Sequence, residues 1–362
     1  MRKKSRVIAL AAALCLLLCG CGGIAVPARE GEASQPSLTK HSETFYDAFN
    51  TVTTVIGYAP DQAAFDRAFS EAMALFSHYH CVFDGYNAYD GVQNLYVVNR
   101  DAPYAPVQAE PELIELLLYM KELQPKLRSR VNVAMGAVLA LWHDCREAGT
   151  SVPAKDALLV RGEHCDLDDV IVDAENGTVF FADPLLRLDL GAIGKGWATE
   201  RVAQWLLQSE MPSFIISAGG NVRCGEPPRD GRAFWGVGVQ DPDDQFGSTL
   251  KDVIFITGMS VVSSGDYQRY YTVDGVRYHH IIDPDTLFPS TFMRQVTVVT
   301  EDSGYADALS TALFLMPYEE GRALVDALDG VEAYWVLNDG AVRYTDGMKP
   351  LLQSLGATSA GR

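Results

Sequence analysis

The spacing of apolar positions changes period several times along the chain. After Asp61, the residues Phe65, Phe69, Met73 and Phe76 recur every three or four positions, the spacing of one helical face, with Asp61 where a cap belongs. Pro111 stands at the first position of a second helix whose Leu113, Leu116, Leu117 and Met120 turn inward. Further helices are expected over 133–145, over 195–208 and from near Ala306. Runs rich in β-branched and aromatic residues, at 45–58 and at Phe214-Ile215-Ile216, read as strands. Turn residues fold other strands into hairpins around Glu175-Asn176-Gly177-Thr178, Asp274-Gly275 and Asn338-Asp339-Gly340. No short-period repeat is present. The mixture predicts an α+β protein with mainly antiparallel sheets flanked by helices, as one large domain or two closely joined halves. The end after Gly347 reads as a frayed, disordered tail.

Composition narrows the partners. The 362 residues are 48% hydrophobic, as in a globular protein, and carry a net charge of -18. That balance argues against nucleic acid and against charge-driven adhesion to anionic lipid. The N-terminus is a separate matter. Arg2, Lys3, Lys4 and Arg6 precede an apolar stretch from Ile8 to Leu18 that is short for a bilayer span. Leu18-Cys19-Gly20-Cys21 resembles a bacterial lipobox with Cys21 as the lipidated residue. Residues 1–20 are then a signal peptide and 21–42 a flexible tether. The expectation is an exported protein, anchored by lipid to the membrane on its extracytoplasmic side; an ordinary signal peptide or uncleaved anchor is the alternative. Cys81, Cys145, Cys165 and Cys224 match no zinc spacing and are too few for a disulfide framework.

Five polar clusters carry candidate chemistry. Asp307 and Thr311 are four residues apart on the expected helix, so both lie on one face. A carboxylate and a hydroxyl there suit a hard cation such as Mg²⁺, although an acid near a helix N-terminus needs no metal to explain it. In Asp189-Leu190-Gly191-Ala192-Ile193-Gly194-Lys195-Gly196, glycines allow close backbone approach and Lys195 adds a cation at a helix start, which attracts phosphate. A tight strand-to-helix turn explains the glycines nearly as well. His279 and His280 precede Ile281-Ile282-Asp283-Pro284, and on a strand they point to opposite faces, so one of them at most serves a given site as acid or base. In Phe83-Asp84-Gly85-Tyr86-Asn87, Tyr86 is placed to stack on a heteroaromatic ring and Asn87 to reach phosphate or metal, or the segment is a polar turn. Ser217-Ala218-Gly219-Gly220-Asn221 is a backbone site or simply a turn. No nucleophile elbow, His-Glu-x-x-His or Cys–His pair occurs.

In this order and spacing the clusters resemble the ApbE-type FAD:protein FMN transferases, from about Phe45 to Trp335. The segments that carry the resemblance are Phe83 to Asn87, Asn132 to Gly136 with Leu141-Trp142, Asp189 to Trp197, Ser217 to Asn221, Trp235 to Pro242, Ser264 to Tyr267, His280 to Pro284 and Ala306 to Thr311. The resemblance implies a single T-fold-like domain over 43–347 and an Mg²⁺-dependent enzyme that takes FAD as substrate. It would move the FMN half onto a Thr or Ser hydroxyl of an acceptor flavoprotein, a membrane redox subunit or a secreted FMN-binding domain, and release AMP. Carried over, the metal falls to Asp307, Thr311, Ser310 and the Ala192 carbonyl. FAD falls to Phe49, Tyr86, Asn87, Val133, Ala134, Met135, Asp189, Lys195, Ser264, Gly265, Asp266 and Ile281. His280 is the catalytic histidine, with Lys195 and Asp307 as catalytic partners. A homodimer is compatible with the pattern. Two positions depart from it: Phe49-Asn50-Thr51 replaces Met-Gly-Thr, and Leu287 stands where Gly is usual. The same site with water as nucleophile would make an FAD pyrophosphatase, and without turnover an anchored FAD-binding or delivery protein.

Overall fold

Eight strands form the central sheet and lie side by side in the order in which the chain makes them. They are β1 (Thr39–Ala48), β2 (Thr51–Ala59), β3 (Phe214–Ala218), β4 (Asn221–Cys224), β5 (Ser260–Gly265), β6 (Met293–Thr300), β7 (Glu332–Leu337) and β8 (Val342–Tyr344). Every neighbouring pair is antiparallel. The computed structural model describes residues 38–244 and 248–360, so the expected signal peptide, Cys21 and most of the tether lie outside the described residues. Among those described, no helix is long and apolar enough to cross a membrane.

The sheet is buried on both faces. Val55, Ile216, Val262, Val298 and Trp335 face a layer of helices. Their neighbours Ile56, Ile215, Val261, Val299 and Tyr334 face a second layer, as the two-residue period of a strand requires. The helices that bear on the site are α1 (Gln62–Phe83), α2 (Pro111–Lys126), α3 (Gly136–Ala148), α4 (Gly194–Leu207) and α5 (Ser303–Phe314). Asp61 caps α1 as expected, accepting from Ala64 N at 2.8 Å. Phe65 and Phe76 on its inner face are fully buried, worth about 1.5–3 kcal/mol each. The second layer is the hairpin of Trp235–Gln240 and Leu250–Ile256 together with the chain's end. The hairpins expected around 175–178, 274–275 and 338–340 are all present.

The structure corrects the sequence reading in places. The 45–58 run is not one strand: Phe49 and Asn50 adopt left-handed φ of 52° and 49° and turn β1 back along β2. Asn tolerates that region and Phe does not, so a turn without glycine was hidden among β-branched residues. β1 also begins at Thr39, paired with Ala59, inside the stretch expected to be tether. The 133–145 helix starts only at Gly136, whose N–H donates to the Arg187 carbonyl at 2.8 Å. A Cβ there would lie 2.6 Å from that oxygen, so glycine is required. The expected frayed tail is ordered as far as residue 360, with Met348 and Leu352 fully buried in the second layer and Ser359 accepting from Ala233 N at 2.8 Å. The four expected cysteines are free thiols.

Candidate active site

The starts of α4 and α5 meet at Gly196. A Cβ on Gly196 would fall 2.4 Å from both the Ser303 carbonyl and the Asp307 Cβ, so no other residue lets the helices come this close. The Gly196 N–H thereby donates to Asp307 Oδ2 at 2.8 Å. That amide is the one a continuing helix would give to the Ala192 carbonyl. Among the described residues no backbone N–H donates to Ala192 O. Beside it, Lys195 Nζ donates to Oδ1 of Asn221, at the start of β4. Burial pushes the Asp307 carboxyl up from its ordinary range, against the pull of Lys195 and the Gly196 amide. Burial likewise pushes the Lys195 ammonium down, only partly offset by Asp307. Each charge therefore still lacks a full counter-charge.

The end of β5 completes this side. Ser264 Oγ lies 2.8 Å from Ser310 Oγ and 3.3 Å from Thr311 Oγ1. Ser310 is fully buried and its hydroxyl donates to the Asp307 carbonyl at 3.0 Å, whereas Thr311 is partly exposed. Thr311 is thus the freer of the two hydroxyls proposed for a metal. Gly265 packs against the Tyr267 ring, and Asp266 accepts from Arg294 Nε at 2.8 Å. Ser264 and Gly265, rather than the Asp266 carboxylate, are what this strand sets beside α5.

The two histidines have different surroundings. His279 is buried, with Nε2 2.8 Å from the Ser290 carbonyl, Nδ1 accepting from Ile281 N at 3.2 Å, and its ring edge-on to Phe314. His280 has a buried Nδ1 with no partner among the described residues. Burial, with the nearby Arg269 charge, pulls His280 down to about 3, so its imidazole is neutral at ordinary pH. Ile281 is buried, with its N–H on His279 and its carbonyl accepting from Ser290 N at 3.0 Å, so it offers a ligand only apolar surface.

The opposite wall comes from the loop after α1 and the turn before α3. Asp189 N–H donates to the Val133 carbonyl at 2.8 Å, and Asp189 Oδ1 accepts from Gly191 N at 2.8 Å, which joins the glycine-rich segment to the buried Val133-Ala134-Met135 turn. Tyr86 O–H reaches Asp189 Oδ2 at 3.5 Å. The Tyr86 ring is already stacked on His143, centroids 4.8 Å apart, and the Arg187 guanidinium lies 5.6 Å from its centre. An incoming ring would have to displace one of them, which the sequence reading of Tyr86 did not foresee. Phe49, at the β1–β2 turn, packs on Phe76 and His80 at 5.0 and 5.4 Å.

Several residues near the site escaped the sequence reading. Asn221 belonged to a segment read as a backbone site or turn, and its role with Lys195 shows only once β4 is in place. His143, Arg146, Arg187 and Arg269 had no motif to mark them. Arg269 and Arg146 act electrostatically on His280; Arg269 also feels the Asp307 carboxylate, and neither arginine forms a salt bridge among the described residues. In a chain this acidic, guanidinium groups without a salt bridge beside a half-buried lysine favour a polyanionic ligand.

Known proteins share this chain's family and its fold. The family model described as ApbE matches residues 49–335. A FAD:protein FMN transferase of Treponema pallidum is 33% identical over 358 residues, covering 95% of each chain. Another, of Klebsiella pneumoniae, is 33% identical over 243 residues, covering 66% of this chain and 73% of its own. Among solved structures, the ApbE protein of Thermotoga maritima superposes with a TM-score of 0.77 at 27% identity, over 86% of this chain and 99% of its own. The apo flavinyl transferase ApbE of Pseudomonas stutzeri, at 22% identity and a TM-score of 0.74, shows the same fold.

Proposed function

The chain belongs to the ApbE family, and on that footing we propose that it transfers the FMN half of FAD to a hydroxyl of an acceptor protein and releases AMP. The observation that carries this is the contact of Gly196 N with Asp307 Oδ2, which brings the glycine-rich turn, Lys195 and the carboxylate helix into one buried site. A buried carboxylate pushed up and a lysine pushed down are groups that a cation and a diphosphate would each restore to full charge.

The residues fit Mg²⁺. Asp307, the Thr311 hydroxyl and the undonated Ala192 carbonyl are hard oxygen donors, with Ser310 behind them. Among the described residues no group of three or more His, Cys, Asp and Glu side chains converges, so phosphate and water would supply the remaining ligands. When bound, the cation would offset the negative charge of the diphosphate and improve AMP as a leaving group. Lys195, oriented by Asn221, places a point charge on the same phosphates. His280, whose Nδ1 has no partner among the described residues, would take the proton of the acceptor hydroxyl as that oxygen attacks the FMN-side phosphorus. The acceptor brings the nucleophile, which accounts for the lack of a Ser or Cys nucleophile motif in this chain.

Export, lipidation at Cys21 and attachment to the outer side of a membrane belong to the same reading and rest on the lipobox-like N-terminus. They would place the enzyme beside acceptors such as membrane redox subunits or secreted FMN-binding domains, and a homodimer remains compatible with it. Incubation with FAD, Mg²⁺ and an acceptor domain, followed by in-gel flavin fluorescence and AMP release, tests the proposal. An acceptor that stays dark while FAD is consumed would replace transfer with hydrolysis. Tight FAD binding without any AMP would leave only a binding protein.

A further inference from the structure

Two carboxylates hold the first turn of α5, and they come from different places. Asp302 caps the helix locally, its Oδ1 accepting from Tyr305 N at 2.7 Å. Glu200 reaches across from α4, and its Oε2 accepts from Ser303 N at 2.9 Å. The same oxygen accepts from Arg223 Nε at 3.0 Å, an ion pair buried at both ends, while the exposed Gln204 donates to Oε1 at 3.3 Å. Asp302 fixes where α5 begins; Glu200 fixes where that beginning lies against α4.

Glu200 also completes an exchange between the helices. α4 gives its Gly196 amide to Asp307 on α5, and α5 gives its Ser303 amide to Glu200 on α4. Both amides belong to first turns, whose N–H groups have no partner within their own helix. Glu200 lies four residues beyond Gly196 and Asp307 four beyond Ser303, so the two contacts stand about 6 Å apart along each axis. One contact alone leaves α5 free to swing about it. Two fix its tilt and its rotation. Arg223 extends the hold to β4, where Asn221, two residues earlier on the same face, accepts from Lys195 Nζ. We infer that Glu200 is a positioning residue, which acts through the Ser303 amide and Arg223 to set Asp307 and Lys195 in place for the cation and the diphosphate. This rests on the magnesium reading of the site.

Charge and geometry can be separated here, because both donors share one oxygen. Glu200→Gln keeps an amide oxygen for Ser303 N and Arg223 Nε, and Gln204 can turn its own amide to accept from the new NH₂. It removes only the charge. That leaves a buried guanidinium without its counter-charge and should lower the melting temperature. Ser303→Pro does the reverse. Proline is accepted at the first position of a helix, and Asp302 before it is already extended, at φ -88° and ψ 121°. The ion pair stays, but the amide that faces Glu200 is gone and the proline ring takes its place. Glu200→Leu combined with Arg223→Leu removes the same bond and leaves no buried charge, a replacement that folded proteins often accept.

The test titrates each protein with Mn²⁺ in place of Mg²⁺, read by electron paramagnetic resonance, beside melting temperature and Mg²⁺-dependent AMP release from FAD. Ser303→Pro and the leucine pair should each bind Mn²⁺ about tenfold more weakly than wild type, as expected when a residue behind a metal ligand is lost. Glu200→Gln should bind nearly as wild type does, although its melting temperature falls. In AMP release, the Mg²⁺ concentration for half-maximal rate should rise in the same variants, with the saturated rate little changed. Wild-type affinity in Ser303→Pro or in the leucine pair overturns the assignment. So does a large loss in Glu200→Gln, or an affinity that simply follows melting temperature through the series. If wild type binds no Mn²⁺, the metal reading falls, and the paired amides are judged separately by hydrogen exchange. Gly196 N–H should then be protected in wild type and Glu200→Gln and exchange faster in the variants that lack the Ser303 bond; equal protection in all of them overturns the inference.

Discussion

Gly196 sets its backbone N–H 2.8 Å from the Asp307 carboxylate at a point where no Cβ fits between the two helices. Gly196→Ala must push α4 away from α5. The expected cost is about 1–3 kcal/mol of stability, with a much larger fractional loss of AMP release because the whole site is displaced. Chemical denaturation and turnover on the same preparation check both parts; an alanine variant with full activity would show that this close approach is dispensable.

Asp307→Asn keeps the shape and the hydrogen bond acceptor for Gly196 but removes the charge. Mg²⁺-dependent turnover should drop by roughly a hundredfold or more, equivalent to the several kcal/mol a metal ion contributes. Thermal stability should hold or rise, since an ionised carboxylate is disfavoured by burial there. Retained Mg²⁺-dependent turnover would remove Asp307 from the metal site.

The histidine pair separates chemistry from structure. His280→Ala should lower the rate far more than His279→Ala, which should chiefly lower stability by exposing the Ser290 carbonyl. His280 is already neutral well below pH 6.5, so the rate should show no inflection near 6.5 from this group. Both rings have depressed values when folded. Their stabilising neutral form is fully present above about pH 6.5 and is lost as pH falls below it, for His280 down to about 3. Denaturation midpoints between pH 7 and 4 should fall, and should fall less steeply in His280→Ala.

Leu287 occupies a left-handed φ of 60°, with its N–H on the Asp283 carbonyl at 2.8 Å and its own carbonyl accepting from Trp142 Nε1 at 2.9 Å. Leu287→Ala loses the side chain and keeps the strain; Leu287→Gly loses both. The glycine variant should therefore be more stable than the alanine variant by about 1 kcal/mol, the reverse of their order at an ordinary position. Equal or inverted melting temperatures would mean that the strain is relieved elsewhere.

Truncation after Gly347 removes Met348 and Leu352 from the second layer, with the Leu352 contact to Ile254. A loss of about 4 kcal/mol or more is expected from the two buried side chains. A shortened chain with unchanged melting temperature would return this segment to the status of a loose end.

Much of the architecture was legible because local signals were strong: Asp61 before a helical stripe, Pro111 at a helix start, Asp-Gly and Asn-Asp-Gly in hairpins. The failures have physical causes. A left-handed Phe49 carries no glycine to announce the turn. Strands covered on both faces, such as β6, are buried almost throughout, with Gln295 and Thr297 as buried as their apolar neighbours, so which residues face the helices could not be taken from alternation. The polar clusters were identified, but their partnerships were not, because Lys195 with Asn221 and Ser264 with Ser310 are contacts between distant parts of the chain. Tyr86 was legible as a ring placed to stack and not as one already covered by His143.

Strands that neighbour one another in the sheet are also consecutive in the chain, yet β2 and β3 are separated by roughly 150 residues that form α1 to α4 and most of one wall of the site. Zipping β1 to β2, or β7 to β8, closes short loops; joining β2 to β3 closes a very long one and carries the larger entropic cost. The two halves of the sheet can thus assemble early and independently, and their union should be the late event in refolding. A dinucleotide gripped across that seam would report on the last step and slow its reversal, acting as a latch on a molecule otherwise assembled from neighbours.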